Sequence, residues 1–239
     1  MKGANSSKCA WLQRADVIGC LVCIVVFVQF PILDIVVSSW FFRDGHFFLA
    51  NNDLVQVIYW TFAKIHYVLL LGFVCVFVRY FWVDKKNELR ECRLKQLKIM
   101  TIALVFVPGI LVNTIIKDNS LGRARPHQIE QFSGEKHFSS AFAYSGECRR
   151  NCSFVSGHAA IGFYFMLFGW VFGRRRWWQL GVLLGATVGV VRIIQGGHFL
   201  SDVVFSFWAC YWPFLWLVKG NGYSLGVPTF QPTGLLRTH

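Results

Sequence analysis

Six long apolar runs dominate this chain and restrict it to one class of fold. Each run has roughly the 17 to 25 residues that an α-helix needs to cross the hydrocarbon layer of a bilayer. They lie near residues 17–36, 56–82, 99–116, 156–173, 177–195 and 199–218. A hydrophobic content of 55% with only 15% charged residues excludes an ordinary soluble domain. We therefore predict an all-α, polytopic membrane protein with six transmembrane helices.

The six runs are predicted to form one domain, residues 1–218, followed by a C-terminal tail, residues 219–239. The tail contains scattered Gly, Pro and Thr and has no apolar periodicity, so we expect it to be loosely ordered. Basic residues before the first run resemble the start of a secretory signal, but no small-residue cleavage pattern follows them. We therefore predict that the first run is retained as a helix.

The basic residues lie mainly in short segments between the apolar runs. The net charge of +12 could indicate a nucleic-acid partner, but this distribution is better explained by membrane topology, and no nucleic acid is expected. Segments 84–98 and 174–176 are rich in Lys and Arg, and the positive-inside rule places them in the cytoplasm together with both termini. Residues 37–55, 117–155 and 196–198 then lie on the far side of the membrane.

The far-side loop 117–155 is basic, against the positive-inside rule. Its cations are Lys117, Arg123, Arg125, Lys136, Arg149 and Arg150. An anionic ligand is the simplest explanation for this charge. The same loop contains Cys148 and Cys152, which could form a local disulfide in an oxidising compartment if their geometry is suitable; the bonded and free states both remain open. Cys20 and Cys23 lie in the first apolar run, where we expect small hydrophobic core residues. The chain has no His and Cys cluster at zinc spacing, so no metal or cofactor is expected.

Three polar residues fall inside the first two runs. Asp34, near the end of the first run, is expected to be a structural partner for a loop amide or a cation rather than a catalytic group. Lys64 and His66 interrupt the second run. Either an interfacial helix covers about residues 54–64 and the span begins near His66, or Lys64 points into a polar cavity. The neighbouring aromatic residues favour the interfacial helix.

Three clusters of ionisable and small residues lie at the ends of predicted helices, all on the far side. They are Lys117, Arg123 and Arg125 after the third run, Ser156, Gly157 and His158 at the start of the fourth, and Arg192, His198 and Asp202 around the start of the sixth. A lone interfacial histidine is usually a polar anchor, and interfacial cations often bind lipid headgroups. Because ionisable groups in a membrane span are costly, their occurrence together on one side indicates one functional site.

These residue types suit phosphate chemistry. A phosphoryl group in transfer spreads negative charge over three oxygens, and catalysis depends on cations and amide donors aimed at them. Guanidinium groups bind phosphate through two parallel hydrogen bonds. Ser156 and Gly157, at the start of a helix, would add a hydroxyl and free backbone N–H groups. Two histidines, several cations and a single carboxylate suggest phosphoryl transfer without a metal.

His198 and Asp202 are four residues apart, which places them on one helical face if the sixth helix already includes the histidine. A carboxylate that holds one ring nitrogen fixes the tautomer and leaves the other nitrogen free to attack. His198 is therefore the candidate nucleophile. His158, at the start of another helix, is the candidate acid that protonates the leaving oxygen and later activates water.

This combination resembles the type 2 phosphatidic acid phosphatase superfamily, whose motifs are Lys-x6-Arg-Pro, Pro-Ser-Gly-His and Ser-Arg-x5-His-x3-Asp. The resemblance extends over nearly the whole chain and implies six spans and a metal-independent phosphatase that faces away from the cytoplasm and forms a phosphohistidine. It implies that phosphate is bound by Lys117, Arg125, Ser156, Gly157 and Arg192. It also implies His198 as the nucleophile, His158 as the general acid and Asp202 as the orienting carboxylate.

The chain departs from that pattern at three positions. Seven residues rather than six separate Lys117 from Arg125, so either the loop bulges or Arg123 shares the role of Lys117. Val155 replaces the motif's proline, and Val191 replaces the serine before the motif's arginine. None of these changes removes a group that would make or break bonds.

The resemblance implies a membrane lipid phosphate as substrate. The sequence is similar to bacterial members that act on lipid A, phosphatidylglycerophosphate or undecaprenyl pyrophosphate, which implies a multi-pass protein of the bacterial inner membrane. The long basic loop favours lipid A. A lipid phosphotransferase would use the same motifs and is the alternative. A non-catalytic lipid-binding or channel protein would be expected to have lost His158, His198 or Asp202. The oligomeric state stays open.

Overall fold

The computed structural model describes residues 4–82, 88–117 and 121–223, with side-chain environments from residue 15 onward. The chain is mainly helical. Its elements are α1 (Ala4–Gln29), α2 (Ile32–Ser39), β1 (Phe42–Arg43), β2 (His46–Phe47), α3 (Asp53–Trp82), α4 (Glu88–Leu104), a π-helix (Val105–Ile116), two 3-10 turns (Pro126–Gln128 and Glu130–Phe132), α5 (Gly157–Tyr164), α6 (Leu167–Val171), α7 (Arg175–Ile194) and α8 (Leu200–Gly220). The two short strands form an antiparallel hairpin.

The described residues contain four helices that are long and apolar enough to cross a membrane. These are Asp53–Trp82, Arg90–Ile116, Arg175–Ile194 and Leu200–Gly220. A fifth span is present if Ala15–Gln29 and Ile32–Ser39, which are bent by 83° relative to each other, count as one. The chain is thus an all-α membrane protein with four to five candidate spans by length and composition, whereas the sequence predicts six.

The predicted fourth span, residues 156–173, is not one long helix. It forms two short helices, α5 and α6, within the apolar stretch Gly157–Val171. The break between them lies where Gly181 of α7 packs directly against the backbone of Phe165 and Met166. Irregular backbone at membrane depth is tolerated where protein surrounds it, and nearly all residues of α5 and α6 are buried.

Close packing of α5 against α7 forms the centre of the protein. A β-carbon on Gly162 would lie 2.6 Å from the Cα of Gly185, so only a residue without a side chain fits there. Small residues at such crossings let membrane helices approach closely. The surrounding core contains Tyr164, Phe214 and Val188, all fully buried. This packing holds the first residue of α5 in a fixed position relative to the end of α7.

The second apolar run forms one continuous helix, α3, without the predicted interfacial break near His66. The ammonium nitrogen of Lys64 lies 5.2 Å from the ring centroid of Trp60 on the exposed side, so Lys64 does not point into a cavity. His66 instead lines a cavity between α3, the π-helix and α5. Most of the apolar side chains of α3 are exposed, as expected for a helix that faces lipid.

The π-helix positions Lys117, which follows it as its C-cap residue. The helix widens around Pro108, which has no N–H to donate and so disturbs the regular hydrogen-bond pattern. The side chain of Asn113 donates to the Pro108 carbonyl at 2.6 Å. Residues 118–120 of the loop between Lys117 and Arg125 lie outside the described residues.

A second apolar cluster covers one end of the helical bundle, where the loops that follow α2, the π-helix and α7 meet. It consists of Phe47, Ala124, Ile129, Phe132 and Phe199. Its aromatic rings pack against each other and against Phe42, as the ring contacts among Phe42, Phe47 and Phe132 show. At the opposite end, α8 runs two residues past the predicted domain boundary to Gly220, and residues 224–239 of the predicted tail lie outside the described residues.

Candidate active site

The N-termini of α5 and α8 lie side by side, at the end of the bundle where the loops meet. Ser156 caps α5 by accepting a hydrogen bond from the N–H of Ala159 at 3.4 Å. The N–H of Ser156 donates to the carbonyl of Asp202 in the first turn of α8 at 3.3 Å, and the hydroxyl of Ser206 donates to the carbonyl of Ser156 at 2.9 Å. These bonds hold the two segments together. They bring His158, in the first turn of α5, and His198, just before α8, into one region.

His198 is fully buried, and its two ring nitrogens have different surroundings. Nδ1 lies 2.7 Å from the carbonyl oxygen of Ser153. Since a carbonyl can only accept, Nδ1 carries the proton in this contact. Nε2 is buried and has no hydrogen-bond partner among the residues that the structure describes. The neutral imidazole therefore presents an unprotonated, unpartnered Nε2, which is the arrangement that a nucleophile requires.

Asp202 does not orient His198 in the way that the sequence predicts. Its nearest oxygen lies 3.5 Å from Nδ1, while the shorter contact of Nδ1 is to the Ser153 carbonyl. Oδ2 instead accepts from the Ser153 hydroxyl at 2.5 Å and from the Phe199 N–H at 2.8 Å. Because α8 begins after His198, the two residues do not share a helical face. Asp202 acts on His198 mainly through Ser153.

The surroundings of Arg123 do not agree with the expectation that it helps to bind phosphate. Its side chain is fully buried, with Nη1 at 2.7 Å from Asp202 Oδ1 and Nη2 at 2.7 Å from Asp34 Oδ2. Nε donates to the carbonyl of Ser139 at 2.9 Å. All three nitrogens are thus engaged by protein acceptors. Asp34 also accepts from the N–H and hydroxyl of Ser201, so the prediction of a structural role for Asp34 is confirmed.

Arg192 lies at the end of α7 and is almost completely buried. The backbone of Gly197 packs on its guanidinium group, and a β-carbon there would lie 2.2 Å from Nη2. Nη1 donates to the side-chain oxygen of Gln195, and the guanidinium carbon lies 4.7 Å from the ring centroid of Tyr59. Nε has no hydrogen-bond partner among the residues that the structure describes. Arg192 thus keeps donor capacity for a ligand.

Arg125 and Lys117 complete the cationic set. Arg125 donates through Nη2 to the backbone and side-chain oxygens of Asn151, each at 2.9 Å. Lys117 is 6% exposed. Both side chains and Arg192 lie near enough to His198 to affect its ionisation. Three cations from separate segments therefore surround the candidate nucleophile.

His158 stacks on Tyr59, with ring centroids 4.8 Å apart. Tyr59 also contacts Arg192, so one aromatic side chain of α3 positions two site residues. Nothing in the sequence pattern distinguishes Tyr59 from the neighbouring aromatic residues, so these contacts were not predicted. His158 borders a cavity of about 340 Å³ that is lined mainly by apolar residues of α3, the π-helix and α5.

The pKa of His198, which lies between the spans, is well below its usual value. Burial is the main cause, because it penalises the charged imidazolium. Arg125, Arg192, Lys117 and the imidazole of His158 lower it further. His198 is therefore neutral at physiological pH, as a nitrogen nucleophile must be.

We expect His198 to stay neutral when the pH falls through the usual titration range of histidine, about 6.5. In ¹⁵N spectra of the protein in micelles, its ring signals, assigned by their loss in His198→Asn, should not move between about pH 7.5 and about pH 5.5. The unfolded chain binds this proton near pH 6.5 and the folded one does not, so stability should fall as the pH drops below that value. A normal titration of His198 would contradict the arrangement described above.

The loop after Arg125 is held by covalent and polar links. Cys148 and Cys152 form a disulfide with Cα atoms 5.5 Å apart. The hydroxyl of Ser145 donates to the carbonyl of Gly122 at 2.6 Å, and the N–H of Ser153 donates to the carbonyl of Arg123 at 2.9 Å. Ser153 carries the carbonyl that holds His198, so the loop supports the site directly.

Within residues 4–82, 88–117 and 121–223, no group of three or more His, Cys, Asp or Glu side chains is arranged to hold a metal ion. The site consists of two imidazoles, three cations and a helix N-terminus beside a largely apolar cavity, in an all-α membrane protein. These features define a membrane-embedded phosphatase.

Comparisons with known proteins agree with this class. Residues 94–224 match the model of the PAP2 superfamily. The chain is 34% identical over 200 residues to a lipid A 4'-phosphatase of Francisella tularensis subsp. novicida, covering 79% of this chain and 87% of that protein. It is 31% identical over 197 residues to a lipid A 4'-phosphatase of Rhizobium leguminosarum, covering 76% and 84%. No solved structure matches.

The chain belongs to the PAP2 superfamily and is a lipid phosphatase, a phosphoric monoester hydrolase of the membrane. A third relative, a lipid A 4'-phosphatase of Rhizobium etli, is 31% identical over 203 residues, with 75% of this chain and 76% of that protein covered.

Proposed function

We propose that this protein removes a phosphate monoester from lipid A, at the 4' position, through a phosphohistidine on His198. The observation that carries the mechanism is the buried Nε2 of His198, which lies among three cations and has no hydrogen-bond partner in the described part of the chain. The names of the three curated relatives support the choice of lipid and position.

In the first step, Arg125, Arg192 and Lys117 bind the phosphate oxygens, together with the N-terminus of α5. Nε2 of His198 attacks phosphorus, and the bond between phosphorus and the ester oxygen breaks. His158, which becomes protonated when the phosphate dianion binds beside it, donates this proton to that oxygen, which leaves as the sugar hydroxyl. The Ser153 carbonyl holds the Nδ1 proton of His198 and so stabilises the charge that develops on the ring.

In the second step, water attacks the phosphohistidine. His158 accepts a proton from this water, the bond between phosphorus and nitrogen breaks, and inorganic phosphate leaves. His198 returns to its neutral form with Nδ1 still bound to the Ser153 carbonyl. The cations serve both steps because the charge of the transferring phosphoryl group is similar in each.

The cavity beside His158 supports a lipid substrate. Its walls include Phe62, Leu70, Leu104, Ile110 and Ile161. Such a surface accepts an acyl chain or the apolar part of a headgroup while the phosphate reaches the cations. The cavity lies between α3 and the π-helix, both of which expose apolar side chains, so the lipid enters from the bilayer without leaving it.

The charge pattern supports a topology in which the site faces away from the cytoplasm and both termini lie within it. The basic segment 84–98 and the residues Arg174, Arg175 and Arg176 belong to the end of the bundle opposite the site. A disulfide in the loop beside the site is consistent with an oxidising compartment. Both features support a location in the bacterial inner membrane with the reaction on the periplasmic side.

We expect purified protein in detergent to release inorganic phosphate from lipid A, with mass spectrometry of the lipid showing loss of one phosphate group. EDTA should leave the rate unchanged, because no step uses a metal. Labelled phosphate trapped on the protein by rapid quenching should be acid-labile and stable to base, as a phosphorus–nitrogen bond is, and His198→Asn should carry no label.

Two results would contradict this proposal. Retention of the label until a lipid acceptor is added would indicate a phosphotransferase in place of a hydrolase. Loss of phosphate from lipid A that carries only the 1-phosphate, but not from lipid A that carries only the 4'-phosphate, would overturn the proposed position.

A further inference from the structure

A second cavity lies on the protein surface beside Arg125, separate from the largely apolar cavity at His158. Its volume is about 620 Å³. Its walls come from the segment 125–136 and from the disulfide loop 146–151. The charged residues among them are Arg125, Lys136, Glu147, Arg149 and Arg150, and His127 lines it as well.

Positive charge dominates this basic cavity. Four of its residues are Lys or Arg, and Glu147 is its one carboxylate. Among the residues that the structure describes, no carboxylate forms a salt bridge with Lys136, Arg149 or Arg150. Cations brought together without acidic partners repel each other, and an anion in the cavity would remove this cost.

The walls of the basic cavity are held in place by the fold. The backbone N–H and carbonyl of Lys136 bond to Gln128 and Glu130, each at 2.9 Å. The backbone N–H of His127 donates to the carbonyl of Gly196 at 3.0 Å. On the other side, the disulfide and the bonds from Arg125 to Asn151 fix the loop that carries Arg149 and Arg150. The backbone that carries these cations is thus fixed before any ligand arrives.

Arg125 connects the basic cavity to the active site. It lines the cavity and also lies close to His198 and Arg192. A group bound in the cavity therefore lies next to a phosphate bound at His198. Because the two sites share Arg125, one headgroup that carries two anionic groups could occupy both.

We propose that the basic cavity is a second anion subsite, which binds another phosphate group of the same lipid whose reacting phosphate lies at His198. This inference rests on the proposed function for the identity of the lipid. It makes the enzyme selective for a headgroup with two phosphates over the same headgroup with one. It also assigns a function to Lys136, Arg149 and Arg150, which the catalytic steps do not use.

The test compares lipid A that carries both phosphates with lipid A that carries only the 4'-phosphate. We expect wild-type protein to prefer the doubly phosphorylated lipid by roughly tenfold in kcat/KM at low salt. Arg149→Gln/Arg150→Gln should reduce this preference to about twofold, through the KM of the doubly phosphorylated lipid. The preference should also decline as the salt concentration rises, because exposed cations are screened.

Arg174→Gln/Arg175→Gln is the matched control. It removes the same charge from two adjacent exposed arginines at the opposite end of the bundle. It should leave the preference unchanged. Equal kcat/KM for the two lipids in wild type, or an equal loss of preference in the control, would overturn the second subsite.

A binding measurement separates this inference from the proposed function. His198→Asn protein in micelles should bind the doubly phosphorylated lipid more tightly than the singly phosphorylated one, and Arg149→Gln/Arg150→Gln in that background should remove the difference. If wild type releases no phosphate from either lipid but this difference is present, the proposed function fails and the subsite is supported. Equal binding of the two lipids would overturn the subsite even where phosphate is released.

Discussion

His198→Asn is expected to lower the rate of phosphate release at least about a thousandfold, because it removes the nitrogen that attacks phosphorus. The asparagine amide occupies the position of Nδ1 and keeps a donor for the Ser153 carbonyl, so the buried contact at 2.7 Å is retained. The protein should therefore elute and unfold like wild type. Phosphate release from lipid A and thermal unfolding in the same detergent measure the two effects.

His46→Asn is the matched control for this variant. The Nδ1 atom of His46 also contacts a backbone carbonyl, that of Asp44 at 3.2 Å, but the side chain is exposed and lies outside the site. It should keep wild-type activity. Activity of His198→Asn close to that of wild type would disprove the nucleophilic role of His198, whatever the substrate.

Arg123→Met is expected to destabilise the protein by about 3–5 kcal/mol, the cost of removing one partner from a buried ion pair. The change leaves Asp34 and Asp202 buried without their shared cation, and both lie 2.7 Å from it in the intact protein. Removing Asp34 as well, in Asp34→Asn/Arg123→Met, should cost less than the sum of the single changes, because the two side chains interact directly. Chemical unfolding in micelles measures these free energies.

Arg125→Met distinguishes a structural arginine from a phosphate-binding one. Arg125 is partly exposed and bonds to neutral oxygens of Asn151, so its loss should change stability little and weaken substrate binding. Arg123→Met should show the reverse pattern. If Arg123→Met kept full stability and raised KM, Arg123 would be a phosphate ligand, as the extra residue between Lys117 and Arg125 first suggested.

These two arginines illustrate where sequence reasoning stops. Both follow the third apolar run within nine residues of Lys117, and the extra residue in that segment allowed either to be a phosphate ligand. They are distinguished by the contacts of Arg123 with Asp34, 89 residues earlier in the chain, and with Asp202, 79 residues later. A local sequence pattern does not predict a contact between residues that are so far apart in the chain. The same is true of Tyr59, which contacts His158 and Arg192 from a different helix.

By itself, the sequence determined the all-α membrane class, the family and most residues of the candidate site, but not the contacts that Ser153 and Tyr59 make there. Apolar length and the spacing of His, Arg and Asp are properties of short segments, and the chemistry of bilayers and phosphate constrains them strongly. The tertiary structure decided that Ser153 rather than Asp202 contacts His198 most closely, that Arg123 is structural and that the predicted fourth span is two short helices. Each of these depends on which segments pack together, because a buried polar group bonds to whatever partner the fold brings within reach.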